Sequence, residues 1–293
     1  MNDTLKRILI YVLVFVAIAI GVKVYTNKDA TGKKAGDIGK TINNVKIVSW
    51  STGTNAQIVA MVKAADAGKI KLSDYWNVGE KRKVKLSAMY PSCGLSDSHK
   101  KQTVELVLMN VGGRTLSNGK QCSFIVGQKD CLKEPGALNA VENYGEDDFE
   151  INHLWYRTDR RRWLNSTYRD AIPGSLRPIF KKFKVTTMTS IKPKYKSRYD
   201  YFTLPGRFEV PYDRHEKTWK LYVKEGSPIE YYNLSSEATN KFTGKKHINW
   251  WTRSCWMDSH TIENMPIEIT MPANAFNGET STKKLGICPY GVI

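Results

Sequence analysis

The sequence predicts a mixed α+β domain, and three observations lead to this class. The composition, 41% hydrophobic and 25% charged, is that of a globular protein with a substantial core. Apolar residues at alternate positions predict strands, as in segments 83–90 and 102–111. Other stretches repeat apolar residues at helical spacing. We therefore expect two or three helices packed on twisted, mainly antiparallel sheets.

The first 25 residues are predicted to form a transmembrane or signal helix. Lys6 and Arg7 precede an uncharged run of fifteen residues, 8–22. This run is shorter than the roughly 20 residues of a transmembrane helix, but the apolar pattern continues to Tyr25. An uncleaved anchor is therefore preferred, with cleavage after Ala19 as the alternative.

Two features of the sequence indicate opposite orientations for this helix. Five lysines follow it between positions 23 and 40, so the positive-inside count places the globular part in the cytoplasm. A short basic start before an apolar run is, however, the usual form of an export signal. We favour a membrane-anchored domain on the extracytoplasmic side, with a secreted form as the alternative. Residues 26–45 are polar and predict a linker.

Residues 46–293 are predicted to form one domain, since no break indicates a second core. The first elements are a short strand, "VKIVSW", and a helix with Thr54 at its N-cap and Gly68 at its C-terminal end. The strands at 83–90 and 102–111 follow, and Gly112-Gly113 ends the second of them.

Two amphipathic helices are predicted next. The first begins near Asp159 and ends at Pro173-Gly174, and the second places Leu176, Ile179, Phe180 and Phe183 on one face. Beyond Lys184 the chain is short and turn-rich, and the predicted strands are "KVTTMTS", "YFTLP", "EVPY", "WKLYV", "EYYN", "NWWTRS", "PIEITMP" and "GICPYGVI".

The charge is strongly basic and unevenly distributed. There are 45 Lys and Arg residues against 28 Asp and Glu, a net charge of +17. Thirteen basic residues lie between positions 157 and 198, where the only acids are Asp159 and Asp170. A solvated face without a partner is the usual meaning of such a cluster. The alternative is a polyanion site for nucleic acid or an anionic wall polymer, formed by Arg160, Arg161, Arg162, Lys181, Lys182 and Lys184.

The phrase "NWWTRSCW" (249–256) is the most aromatic part of the chain. In a strand, Trp250 points to one side, while Trp251 and Arg253 point to the other. We expect one tryptophan in the core and its neighbour on an outward side, where it can stack on a sugar or an aromatic ligand. The predicted ligand-binding residues are Trp251, Arg253, Trp256 and Tyr290.

No catalytic, metal or cofactor site is predicted. The five cysteines, 93, 122, 131, 255 and 288, form no C-x-x-C pair, and the five histidines are scattered. Ser166, His153 and Asp159 have the residue types of a catalytic triad, but no motif surrounds them. The segment "GDIGKT" lacks the spacing of a phosphate-binding loop.

Six phrases in order resemble a bacterial and phage-associated family, the domain of unknown function numbered 6273, over about residues 46–293. They are "SDYWNVGEKRKVKLSAM", "SHKKQTVELVLMN", "RRRWLNSTYRDAIPGSLRPIFKKF", "DYFTLPGRFEV", "NWWTRSCW" and "GICPYGVI". Two positions depart from the family pattern: Cys288 stands where arginine or a small residue is usual, and Cys255 stands where proline is usual.

The resemblance implies a C-type lectin-like fold that serves as a binding or display scaffold. Together with the predicted N-terminal helix, it predicts a membrane-tethered or exported, non-catalytic domain that binds a protein or glycan, with self-association also open. A phage or prophage tail or fibre component is an alternative. Formylglycine-generating oxidases share this kind of fold, but Cys255 and Cys288 would be their only candidate pair here, and no activating base or metal accompanies them.

Overall fold

The computed structural model describes ten ranges of the chain: 34–140, 155–190, 194–210, 223–234, 242–243, 246–247, 250–255, 267–270, 278–279 and 284–293. The predicted membrane helix lies outside these ranges. Within them, no helix is both long enough and apolar enough to cross a bilayer.

The described residues form few helices and several antiparallel sheets, so the predicted α+β class is confirmed. The strands of the small sheets are β1 (Thr41–Ile42), β2 (Val45–Lys46), β6 (Phe183–Ser190), β7 (Lys194–Asp200), β9 (Phe242–Thr243), β10 (Lys246–His247), β11 (Trp250–Cys255), β12 (Ile267–Thr270) and β13 (Gly278–Glu279). They pair as β1-β2, β6-β7, β9-β10 and β11-β12-β13.

A five-stranded antiparallel sheet is the largest in the described part of the chain. It contains β3 (Lys81–Leu86), β4 (Gln102–Val111), β5 (Phe124–Gln128), β8 (Phe202–Thr203) and β14 (Tyr290–Val292), in the order β3-β4-β5-β14-β8. Edge strand β3 alternates exposed and buried residues, whereas β5 is buried throughout. Burial on both sides is expected of a central strand.

The helix predicted from Thr54 is confirmed as α1 (Asn55–Asp66). The Thr54 hydroxyl accepts from the Gln57 amide at 3.3 Å, and the Gln57 side chain accepts from the Thr54 amide at 2.9 Å. This capping box satisfies two backbone donors that a helix start otherwise leaves without partners. Ile58 and Met61 are fully buried on the inner face.

The helix predicted from Asp159 is also confirmed, with an irregular centre. It consists of α2 (Asp159–Trp163), a π-helix (Leu164–Tyr168) and α3 (Arg169–Ala171). Asn165, inside the π-helix, binds β8: its amide donates to the Phe202 carbonyl at 2.9 Å, and its oxygen accepts from the Tyr201 amide at 2.6 Å. The wider turn therefore carries the side chain that attaches this helix to the five-stranded sheet.

Three predicted elements are wrong. Glu209, the first residue of the predicted strand "EVPY", is instead the end of a 3₁₀ turn, Arg207–Glu209. The helix through 176–183 is only a 3₁₀ turn, Arg177–Ile179, and Phe183 begins β6 instead. The residues that follow, "VTTMT", are mostly β-branched and favour a strand. The predicted strand "EYYN" is instead the short helix α4 (Tyr231–Leu234), whose two tyrosines are buried.

Tryptophans connect the segment after β2 to the sheet. The rings of Trp50 and Trp76 lie 5.5 Å apart, and Trp76 Nε1 donates to the Val48 carbonyl at 2.7 Å. Arg82 of β3 reaches the same segment and donates to the Trp50 carbonyl at 3.0 Å. Ile47, Val48 and Trp50 thus lie in the core, although the predicted strand is limited to its first two residues.

His99 is buried beside α2 in a position that keeps it neutral. Its ring lies 5.1 Å from that of Trp163, and neither ring nitrogen has a hydrogen-bond partner among the described residues. Burial, with the positive charge of Arg160, lowers its pKa from 6.5 to about 4, although nearby Asp97 acts in the opposite direction. The 3.6 Å approach of its Nδ1 to Glu134 is therefore not a salt bridge near neutral pH.

We predict that His99 makes the domain less stable in mild acid. The unfolded chain protonates this side chain near pH 6.5, whereas the folded chain resists protonation until about pH 4, so its stabilisation is lost as pH falls between these values. Between pH 7 and pH 5 this loss is about 2 kcal/mol. Urea unfolding at both pH values measures it. His99→Leu should reduce the difference by that amount, and an unchanged pH dependence would contradict the assignment.

Candidate functional site

A buried carboxylate joins four distant parts of the chain. Glu209 accepts hydrogen bonds from Arg114 at 2.6 Å, from both terminal nitrogens of Arg253 at 2.7 Å, and from the Tyr290 hydroxyl at 3.0 Å. Its side chain is 0% exposed, and Arg253 is 1% exposed. Because water is excluded, each charge here depends on its partners.

The Glu209 cluster is electrically balanced. Burial acts to raise the pKa of Glu209, but Arg114 and Arg253 lower it below its usual value. Burial acts to lower the pKa of Arg253, which Glu209 and Tyr290 nevertheless raise, with a further contribution from Glu225. The Arg253 guanidinium also donates to the Glu225 carbonyl at 2.5 Å. Two guanidinium groups and two carboxylates therefore occupy this region.

The predicted outward placement of Trp251 and Arg253 is wrong. Both are buried, and Trp251 Nε1 donates to the Gly136 carbonyl at 2.9 Å. Strand β11 is covered on both faces: Arg253 reaches the Thr186 carbonyl of β6, while Trp250 stacks on Tyr232. Alternation along a strand gives an outward side only where one face meets solvent.

The other two predicted ligand-binding residues are not available as an exposed pair either. Tyr290 is 1% exposed, and its hydroxyl is held by Glu209. Trp256 lies outside the described residues. The segment "NWWTRSCW" therefore contributes mainly packing and ion pairing where the structure describes it.

Four of the six predicted polyanion-binding residues are paired with acids from other parts of the chain or the same helix. The pairs are Arg160–Asp97, Arg161–Asp200, Arg162–Asp159 and Lys181–Asp66. Arg160 is fully buried, so the proposal that it meets a polymer at the surface is wrong. Lys182 and Lys184 are exposed, as predicted.

The weak catalytic groupings gain no support from the described contacts. The Ser166 hydroxyl donates to the Arg162 carbonyl of its own helix at 2.8 Å, and His153 lies outside the described residues. Cys288 donates to the Gln128 carbonyl at 3.1 Å. The Cys255 side chain is not described, so the suggested Cys255–Cys288 contact stays a prediction.

A surface cavity of about 330 Å³ lies between the end of β3 and the helix at 159–171. The Ser87 amide donates to the Ala171 carbonyl at 2.9 Å and joins its two walls. Tyr90 lines the cavity with 72% of its surface exposed, the largest value among the exposed large hydrophobic residues described. An exposed aromatic ring beside a concave surface is a feature of ligand sites.

The cavity is bordered by a strained turn. Ser92 and Leu95 flank a two-residue turn, closed by a 3.0 Å hydrogen bond from the Leu95 amide to the Ser92 carbonyl. Both central residues have positive φ, 56° at Cys93 and 87° at Gly94, as in type I′ turns. Glycine adopts this conformation freely, whereas cysteine does so at a cost.

The strained turn meets the π-helix at the cavity. The hydroxyls of Ser92 and Thr167 lie 2.5 Å apart, and the Cys93 thiol lies 3.5 Å from the Ser166 hydroxyl. Both a non-glycine residue at positive φ and a π-helix cost free energy and are enriched at functional sites. Their contact beside a cavity identifies this region as the candidate site.

A fixed carboxylate stands on the helical wall of the cavity. Arg177 donates to the Asp170 carboxylate at 2.9 Å and to the Asp170 carbonyl at 2.6 Å. The Asp170 side chain remains 62% exposed. One of its oxygens is thus oriented by Arg177 while the group still meets solvent. The sequence did not indicate this site, because Tyr90 was assigned to the end of the predicted strand 83–90.

The described ranges contain no group of three or more His, Cys, Asp or Glu side chains placed to hold a metal ion. Comparisons with protein-family models, with curated proteins and with solved structures found no match.

We predict that Arg253 is a structural residue. Arg253→Met leaves Glu209 with one guanidinium partner in a buried position, and it should lower the free energy of unfolding by about 3–5 kcal/mol. Arg162→Met is the matched control, because Arg162 also pairs with an acid but is 59% exposed. The control should change stability by less than about 1 kcal/mol. Equal effects in denaturant titrations would contradict the assignment.

Proposed function

We propose that the domain is a non-catalytic recognition module that binds a glycan in the cavity beside Tyr90. The observation that carries this proposal is the combination of an exposed aromatic ring, hydroxyl groups and an oriented carboxylate around one open cavity. Sugars present an apolar C–H face and a rim of hydroxyls, so they require both kinds of contact.

The lining chemistry distinguishes a sugar from an apolar small molecule. The Tyr90 ring offers a flat surface for the C–H face of a pyranose. Asp170 accepts hydrogen bonds from sugar hydroxyls, and Ser87 and Thr167 line the same cavity with groups that both donate and accept. A cavity that is open and lined by both polar and apolar groups favours a ligand that has both kinds of surface and keeps part of it in water.

Hydrogen bonds within the chain support both walls of the cavity. The turn at Cys93 is closed by a backbone hydrogen bond and by the Ser92–Thr167 contact. Asp170 is held by Arg177. Preformed walls reduce the entropy lost on binding, which matters for weak ligands such as sugars. This supports a binding role for the strained conformation.

A C-type lectin-like arrangement and membership in the resembled family are part of the proposal. They are supported by the six ordered phrases and are compatible with the α+β class. Anchoring through residues 1–25, with the domain on the extracytoplasmic side, would present the cavity to surface glycans. The basic start and the apolar run support this location.

Glycan binding is tested with the full chain in neutral detergent micelles. An array of neutral oligosaccharides should identify ligands, and calorimetry then compares variants with the strongest ligand. Tyr90→Ala should weaken binding roughly tenfold through loss of ring contact. Thr167→Val should also weaken it, because Thr167 loses its hydroxyl.

Tyr199→Ala is the matched control, since Tyr199 is also an exposed tyrosine, at 50%, and does not line the cavity. It should bind as the unaltered chain does. Failure of every neutral oligosaccharide to bind would overturn the proposal. Equal affinity in Tyr90→Ala would show that the ligand lies elsewhere and would overturn the assigned site.

A further inference from the structure

Three cations surround one tyrosine on a surface separate from the cavity. Tyr156 lies in the 3₁₀ turn Trp155–Arg157. The charged groups of Arg157, Lys196 and Arg198 lie 5.4, 5.0 and 6.0 Å from the centre of its ring. All three side chains are exposed. Cations are attracted to the ring but repel one another, so their convergence leaves positive charge to be compensated.

We call Arg157, Lys182, Lys196 and Arg198 the basic track. Lys182 belongs to it because the next residue, Phe183, pairs with Asp200 at the end of β7. The positive charges of Lys182 and Arg198 also both lower the pKa of Asp200. Among the described residues, none of the four lies within salt-bridge distance of a carboxylate. This distinguishes the track from the paired residues Arg160, Arg161 and Lys181 that the sequence had suggested.

The described acid beside these cations, Asp200, is already engaged. Asp200 is buried, and Arg161 holds both of its oxygens, at 2.8 and 2.5 Å. Burial raises the pKa of Asp200 above its usual value. Among the neighbouring cations, Arg161 does most to lower it. Within the described ranges, this carboxylate therefore does little to compensate the exposed cations of the track.

Protection of a sheet edge is the simpler explanation for basic residues on a strand. Edge strand β3 provides the comparison, with Lys81, Lys83 and Lys85 exposed along it. There, Lys83 lies opposite Glu105, an acid of the neighbouring strand. Cross-strand pairs of opposite charge stabilise a sheet. On β7, Lys196 and Arg198 lie opposite Thr187 and Val185 and converge on Tyr156 instead.

We propose that the basic track binds a linear phosphate polymer through contacts with its phosphate groups. Lys196 and Arg198 are two residues apart on a strand, a spacing of about 7 Å that suits successive phosphates of an extended chain. Arg157 and Arg198 add planar donors that match phosphate oxygens. None of these residues lines the cavity beside Tyr90, so this site does not depend on the proposed glycan site.

The site recognises phosphates rather than bases. Tyr156, the aromatic residue at the centre of the cations, is only 9% exposed, so it offers no free face for stacking. Base recognition by single-strand binding proteins needs exposed rings along a basic groove. A polymer with no bases therefore meets the requirement as well as a nucleic acid does.

The test measures the affinity of the full chain, in neutral detergent micelles, for labelled inorganic polyphosphate at several salt concentrations. Four phosphate contacts predict a slope of log affinity against log salt of about −3. Lys196→Ala with Arg198→Ala should reduce the slope by about half and the affinity at low salt at least tenfold. Both side chains are exposed, and thermal unfolding should confirm that the fold is retained.

Lys83→Ala with Lys85→Ala is the matched control, because it removes the same charge at the same spacing from β3. It should leave the slope unchanged. Equal losses in both double variants would show that only net charge matters and would overturn the site. Oligothymidylate should bind with a similar slope; its binding without binding of polyphosphate would also overturn the proposal, because bases would then be required.

Discussion

The fold depends on one buried carboxylate held between two guanidinium groups. Glu209 connects Arg114 after β4, Arg253 on β11 and Tyr290 on β14. A Cβ at Gly206 would lie 2.9 Å from Arg253 Nη2, so a larger side chain there would press on the ion pair. A loop and two strands from different parts of the chain thus meet at this point with their charges paired. Arrangements that separate these groups would leave a buried charge without its partner and are therefore disfavoured.

Two other buried or half-buried arginines position both proposed sites. Arg160 pairs with Asp97, and Arg161 pairs with Asp200 at the end of β7. Both belong to the helix that continues through Thr167 at the cavity. The Asp200 pair also fixes the strand that carries Lys196 and Arg198. Two arginines that the sequence suggested as polymer-binding residues are thus ion-paired within the fold. The exposed cations beside them form the proposed phosphate site.

Local signals in the sequence predicted the elements that local chemistry controls. Thr54 and Gln57 form their capping box within four consecutive residues, so the start of α1 could be predicted from the sequence. The alternation in β4 likewise predicted a strand. The helix through Phe183 failed because the apolar spacing of 176–183 fits a helix, while pairing of Phe183 with Asp200 determines a strand. That partner is seventeen positions away and carries no local signal.

The sites were less predictable because they depend on which faces are covered. Trp251 and Arg253 stand in a regular strand, and only the contacts of β11 with β6 and with Tyr232 reveal that both faces are buried. The cavity needs Tyr90 and Thr167 together, which the fold brings close from separate segments. The turn-forming residues Pro91, Ser92 and Gly94 are the local sign of a tight turn there.

The most direct test of the central role of Glu209 is a double-mutant cycle. The free energy of unfolding is measured for the unaltered chain, Glu209→Gln, Arg253→Met and the double variant. Because the two side chains share two hydrogen bonds in a buried position, the cycle should give a coupling energy of about 1–3 kcal/mol. Additive effects, within about 0.5 kcal/mol, would contradict the view that this ion pair holds the strands together.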